Sequence, residues 1–337
     1  MWREQEFFPL VGLHHLGQVG MKSQSKYDVE LISIEKKDEL AQIYSKEVHY
    51  EERADIYGCC IKLLTNLKYV KEQWEENFYP MSAYVRSHGR LVVVEEKDKP
   101  LTVLYDPLSK TSILINVDYY GWVKSIALAT AGDILEDEHN INSVHGACMD
   151  LDGHGICLIA PPGTGKTTHT YGLLRIPEAR ILSDDWFFVR FSNGDALAYG
   201  SEKNFYTPAD VAQSWDEYKQ LVDNASFDPQ GRAILDVRWI VGKGRVVPFT
   251  TIRKIMLLKR DPDDAAGSKR IDSSEALKFL EAQNFCNPHL LVKSERKTEI
   301  RRVFFKKLLD RVEIYMINTT PPPRETHEII RKVCSIR

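Results

Sequence analysis

The sequence predicts an α/β protein in two parts, a C-terminal P-loop domain on a mixed, partly antiparallel sheet and an N-terminal α+β domain before it. Three observations lead there. The segment APPGTGKTT, Ala160 to Thr168, stands between a strand-like apolar run and a helix-like run. The run that feeds it is the second arm of a hairpin. Before residue 140 the apolar pattern changes from helical to strand-like spacing.

A chain of 337 residues suits two domains, taken as residues 1–138 and 139–337. A hydrophobic share of 43% and a charged share of 28% allow an ordinary core without staples or metals. Forty-five basic against forty-eight acidic side chains leave a net charge of -3. That supplies no general pull toward nucleic acid or an anionic membrane, so any polyanion must be bound locally. The cysteines, Cys59, Cys60, Cys148, Cys157, Cys286 and Cys334, form no CxxC pair and no metal-ligand spacing, and reduced, buried thiols are expected. No run approaches the roughly 20 apolar residues of a membrane span. The N-terminal MWREQEFFPLVGLHHLGQVG carries acidic residues and lacks a signal-peptide core, so a cytoplasmic protein is expected. Its lack of periodicity and the polar stretch after it make Met21 a candidate start, with residues 1–20 non-native or disordered.

In chain order, Ile34 to Asn77 reads mostly as helix, with Tyr57, Ile61, Leu64, Leu67 and Val70 at three- and four-residue steps. Arg90 to Glu95, Leu101 to Tyr105 and Thr111 to Val117 read as an antiparallel meander. A helix from Trp122 to Leu135 and the polar boundary Glu136 to Asn140 follow. Trp74, Tyr84 and Trp122 are expected in the core. Val144 to Leu151 and Gly155 to Ala160 form the hairpin, turning at Asp152-Gly153-His154-Gly155. Next come a helix, Lys166 to Leu174, a strand, Arg180 to Ser183, and a strand pair about Asn193-Gly194 reaching Tyr199. Arg253 to Lys259 reads as a strand, Glu299 to Leu309 as a helix and Val312 to Ile317 as a strand. Pro321-Pro322-Pro323 stops it before a last helix. No internal repeat or low-complexity tract is present.

The chemistry concentrates at the glycine-rich segment. Gly163 and Gly165 let backbone amides turn inward around phosphate oxygens, Lys166 reaches the β and γ phosphates, and the Thr167 hydroxyl suits Mg2+. Pro162, Thr164 and Thr168 complete the nucleotide-binding stretch. Ala160 replaces the usual first glycine. Seventeen residues after Thr167, Asp184 and Asp185 follow the apolar strand ILS. One suits a metal position and the other a proton acceptor in phosphoryl transfer. A solvated loop pair or helix cap is the competing reading. Pro161-Pro162 before GTGKTT is similar to the AAA ATPases, but no downstream strand ends in Asp-Glu. RAILDVRW at Arg232 to Trp239 is the nearest approach.

VHGACMDLDGHGICLIAPPGTGKTT followed by ILSDDW resembles the catalytic domain of HPr kinase/phosphorylase, in the phosphoenolpyruvate-carboxykinase-like superfamily. The HPr-kinase-like kinases that modify lasso-peptide precursors are further relatives. The match covers His145 to Asp185, continues loosely through RKIMLLKRD and NPHLL, and leaves the first 140 residues outside. It implies a mixed sheet of that family's type, ATP and Mg2+ as cofactors, and self-association. It implies Asp184 as base and later acid, Asp185 as metal ligand, and His145 of the His-Gly pair as a group tuning the proton affinity of Asp184. A satisfied core histidine is the competing reading of His145. For a further family glutamate Glu202 in YGSEKNFYTP is the nearest candidate, and an exposed loop carboxylate is its competing reading. Arg238 and Lys243 read either as a basic loop near the phosphates or as surface charge.

The expected activity is therefore transfer of the γ-phosphoryl group of ATP to a hydroxyl, on a serine of a protein or peptide or on a small molecule. A nucleotide-sensing module without transfer is the alternative, against which the paired aspartates argue. A carboxykinase shares GTGKTT and a downstream aspartate pair, but the chain is short for that family.

Overall fold

The computed structural model describes residues 27–208, 211–219, 226–227, 232–236, 238 and 241–334. The candidate start at Met21, the expectation for residues 1–20, and Val237 and Trp239 of the RAILDVRW segment lie outside the described residues.

Strand β1 (Val29–Leu31) leads to helix α1 (Ile34–Tyr44), capped by the Ser33 hydroxyl, which accepts from the Lys36 amide at 3.3 Å. The helix expected to continue to Asn77 is instead a hairpin, β2 (Tyr50–Ile56) and β3 (Cys59–Thr65), followed by α2 (Lys68–Asn77). Tyr57 and Gly58, both at positive φ, make the two-residue turn whose twist suits a hairpin. The misleading period has a physical cause. Strand β3 is covered on both faces, with Ile61 and Leu63 packed beneath the second and third helices and Leu64 toward α1. A strand buried on both sides loses its alternation of apolar and polar residues.

Strands β4 (Tyr79–Pro80), β5 (Gly89–Val94), β6 (Thr102–Asp106) and β7 (Thr111–Ile115) complete a sheet ordered β1-β6-β7-β5-β3-β2-β4. Only β6 and β7 form an antiparallel pair of the expected meander, because β5 lies parallel to both β7 and β3. Helix α3 (Tyr120–His139) is buried from Tyr120 through Leu135. A helix apolar nearly all round must lie between two layers. It packs on β3, β5 and β7, and also on β8 (Asn142–His145) of the next sheet. Trp74 and Trp122 join this core, whereas Tyr84 is fully exposed and not the core residue expected.

The second sheet contains the hairpin β9 (Ala147–Leu151) and β10 (His154–Ile159), turning at Asp152 and Gly153 with φ of 52° and 83°. Helix α4 (Lys166–Leu174) follows, then β11 (Ala179–Ser183), β12 (Trp186–Ser192) and β13 (Asp195–Tyr199). Strands β14 (Asn204–Pro208), β15 (Ser226–Phe227) and β16 (Arg232–Asp236) make a small separate sheet, with helix α5 (Val211–Ser214) between the first two in the chain. Strand β17 (Phe249–Lys259) then pairs parallel with β10 and antiparallel with β13. The chain ends through β18 (Ser268–Arg270), α6 (Ser273–Ala282), α7 (Glu295–Leu309), β19 (Glu313–Asn318) and α8 (Pro323–Val333). The result is an α/β fold with mixed sheets. Alternation along β9 and β10 sends Cys148, Cys157 and Ile159 toward α6 and α7, and Met149, Ile156 and Leu158 toward α4 and α8. All six cysteines are buried and free. No helix among the described residues is long and apolar enough to cross a membrane.

The N-terminal part is tied to α7 by charge. The Lys297 ammonium, nearly enclosed, lies 2.8 Å from Asp133, 2.7 Å from Glu136 and 2.8 Å from Asp137, all on α3. Lys110 reaches Asp133 and Asp137 at 2.7 and 2.6 Å from the sheet side. Removing one partner of a buried ion network leaves the others uncompensated. Lys297→Met is therefore expected to lower the unfolding free energy in urea by about 3–5 kcal/mol. Arg253→Met, at an exposed pair with Asp195, is expected to cost under about 1 kcal/mol.

Candidate functional site

Strand β10 ends at Ile159 and α4 begins at Lys166, so the intervening glycine-rich loop presents the start of a helix, where unpaired amides favour anions. Gly163 and Gly165 have φ of 80° and 89°, a region open to residues without a Cβ. The loop is braced from within and from outside. Thr164 Oγ1 donates to the Pro161 carbonyl at 2.7 Å, and Thr319 Oγ1, after β19, donates to the Thr164 carbonyl at 2.8 Å. Trp215 Nε1 donates to the Thr168 carbonyl at 2.7 Å. Pro162 and Gly163 lie exposed at the rim, and Thr167 is half-buried in the first turn of α4.

Asp184 and Asp185 form the corner between β11 and β12. Ser183 sets that corner: its hydroxyl donates to the Trp186 carbonyl at 2.6 Å and accepts from the Asp185 and Trp186 amides at 3.3 and 2.9 Å. The antiparallel pairing of β8 with β12 puts His145 opposite Trp186 and so beside the corner.

Asp185 is the hub. Its Oδ1 accepts from Lys166 Nζ at 2.7 Å and lies 3.2 Å from His145 Nε2, and its Oδ2 accepts from Lys124 Nζ at 3.2 Å. Burial alone would raise this carboxyl, but the Lys166 and Lys124 ammoniums outweigh it and hold it well below the usual carboxylate range. His145 thus acts on Asp185 and not, as expected, on Asp184. Its Nδ1 faces the Cys286 carbonyl at 2.8 Å. Burial, then the Lys166 charge, push its pKa down, against the pull of Asp185.

Asp184 has the opposite environment. It is 4% exposed and its Oδ1 has no hydrogen-bond partner. Burial, with Asp185 and Glu202 adding to it, pushes its pKa up to about 8 although Lys124 opposes. Two ammoniums are matched by Asp185 and Glu202, so the third carboxyl keeps its proton.

Glu202 is a buried member of this cluster, 7% exposed, and not an exposed loop carboxylate. Its Oε1 lies 3.1 Å from Lys124 Nζ and 3.4 Å from Asn77 Nδ2, while Oε2 is buried without a partner. Burial raises its pKa and Lys124 opposes. Lys124 and Asn77 were missed in the sequence, and both come from the N-terminal part that the resemblance does not cover. A signal for Lys124 was present: a lysine within the apolar run WVKSIALA of a helix buried all round requires carboxylate partners. For Asn77 no such signal exists.

His289 of the NPHLL segment closes another side. Its ring centroid is 5.9 Å from that of His145 and 6.2 Å from that of Trp186, and Tyr27 Oη lies 2.6 Å from its Nδ1. Burial, with His145 adding to it, pushes its pKa down to about 3. Arg238 is half-buried, and the Lys243 side chain lies outside the described residues. Among the described residues no group of three His, Cys, Asp or Glu side chains is arranged to hold a metal ion, and Asp185 and Glu202 are bridged by Lys124 instead.

The buried Asp184 carboxyl carries a stability consequence. An unfolded aspartate titrates near 3.8, whereas native Asp184 holds its proton to about 8. The native state binds more protons between those values, so this group's contribution to stability is fully present below the lower one and is lost as pH rises through the upper. Relative to the wild type, the melting temperature of Asp184→Asn is expected to climb between about pH 5 and about pH 9. A constant difference would mean that Asp184 is ionised throughout. No protein-family model matches the chain and neither does any curated protein, so a functional reading rests on the side-chain geometry.

Proposed function

We propose that the protein is a P-loop phosphotransferase that moves the γ-phosphoryl group of ATP to a hydroxyl with the help of Mg2+, as its resemblance to the HPr kinase/phosphorylase catalytic domain implies. The observation that carries this reading is the Asp184 carboxyl, buried with an unpartnered oxygen and a pKa near neutrality, beside the lysine that opens α4. A pure nucleotide sensor has no use for such a group.

In this reading the amides of Gly163, Thr164 and Gly165 and of the first turn of α4 receive the phosphates. Lys166, 2.7 Å from Asp185 Oδ1, would turn from it to the phosphate oxygens. That frees Asp185 Oδ1. Asp184 in its ionised form, reached as pH rises through about 8, takes the proton of the acceptor hydroxyl as that oxygen attacks the γ-phosphorus in line, and the bond to the β-phosphate oxygen breaks with ADP as the leaving group. The carboxylate and hydroxyl oxygens of Asp185 and Thr167 fit a hard cation such as Mg2+. These two residues would hold it, and a cation with several phosphate and water ligands does not need a cluster of three acidic side chains. When bound it neutralises charge on the phosphate oxygens. The acceptor is a serine of a protein or peptide, or a small-molecule alcohol.

The test is incubation of the pure protein with γ-labelled ATP, Mg2+ and a fractionated cell extract, beside Asp184→Asn. The wild type is expected to label a protein or a metabolite. The variant should lose about 100-fold or more in transfer while nucleotide affinity changes by less than about threefold. Tight ATP binding with no label moved in any fraction would favour the sensor. The kcat/KM for transfer is expected to rise with pH through about 8, where Asp184 loses its proton. A profile flat from about pH 6 to about pH 9 would remove Asp184 as the base.

A further inference from the structure

Asp185 and Glu202 reach the same place from different strand ends, one from the corner after β11 and the other from the link between β13 and β14. Two carboxylates brought to one place, Glu202 buried and Asp185 half-buried, favour a cation between them. The chain supplies one from α3. Lys124 Nζ lies 3.2 Å from Asp185 Oδ2 and 3.1 Å from Glu202 Oε1, on a side chain only 5% exposed. An ammonium is a compact point charge with three donors, close in its demands to a small hard cation.

Glu202 is not free to swing away. Asn77 approaches its Oε1, Phe78 bridges it in β fashion, and the Lys203 amide donates to the Asn77 carbonyl at 2.7 Å. Its Oε2 and the Asp184 Oδ1 are buried without partners. Taking away the ammonium alone would leave two carboxylate oxygens, Asp185 Oδ2 and Glu202 Oε1, facing the place it held.

We propose that the Lys124 ammonium stands where a second divalent cation would otherwise bridge Asp185 and Glu202, so that the centre works with the single metal ion carried by the nucleotide. The last clause rests on the phosphotransferase reading above; the placement of Lys124 does not.

The experiment is a titration of the nucleotide-free full chain with Mn2+, following free Mn2+ by electron paramagnetic resonance. Lys124→Met, which keeps the length and loses the charge, is expected to bind one Mn2+ at least about tenfold more tightly than the wild type. Lys124→Arg should show no gain, and Glu202→Gln in the Lys124→Met background should abolish it. An affinity of Lys124→Met within about twofold of wild type, with cooperative unfolding retained, would overturn the proposal. If Lys124→Met does not fold without metal, recovery of cooperative unfolding on adding Mn2+ supports it. Failure to recover while Lys124→Arg folds overturns it. No nucleotide is present in this titration, so failure of the wild type to bind Mg-ATP would sink the phosphotransferase reading and leave the Mn2+ result standing.

Discussion

Two ammonium groups share one carboxylate at the centre of this molecule, Lys166 on one oxygen of Asp185 and Lys124 on the other. The rest of the site follows from that arrangement. It joins the helix after the glycine-rich loop, the corner between β11 and β12, and α3 through three side chains. It also sets the local charge balance, because Glu202 answers Lys124 and no cation is left to ionise Asp184. Withdrawing Lys166 toward a polyanion would hold Asp184 more firmly neutral, since that ammonium lowers its pKa, so the base form is reached as pH rises through the raised value.

Helix α3 is the element through which the two parts of the chain meet. Its first turns deliver Lys124 to the site and its last turns deliver Asp133, Glu136 and Asp137 to Lys297 of α7. Between them its apolar residues face the first sheet on one side and the second on the other, with Trp186 and Phe188 of β12 and Leu291 packed into the same core. Sub-ångström placement of an ammonium between carboxylates needs such a rigid support on both flanks.

The elements legible in the sequence are those whose cues are local. The turn at Asp152-Gly153 and the glycines of the loop carry their own backbone requirement, so the turn and the start of α4 at Lys166 were readable almost to the residue, whereas the expected first arm from Val144 breaks at Gly146 into β8 and β9. The pair Asp184-Asp185 was readable because it ends an apolar strand. Strands β2 and β3 were not, since burial on both faces left a spacing that mimics a helix. The burial of Glu202 was not readable either, because it depends on Asn77 and Lys124, more than seventy residues earlier in the chain. His145 shows the intermediate case: its strand was legible and its partner was not, because a register of β8 against β12 decides which carboxylate it meets.

The ties from α3 to Glu202, Asp185 and Lys297 also bear on how such a chain can be recombined. A boundary drawn at the polar stretch after α3 looks like a seam along which one N-terminal part might be traded for another. A replacement lacking a lysine at this point of the helix would leave Glu202 buried without its cation, while Asp185 would keep only Lys166 and His145. An exchanged front part would therefore have to carry its own cation to the same spot.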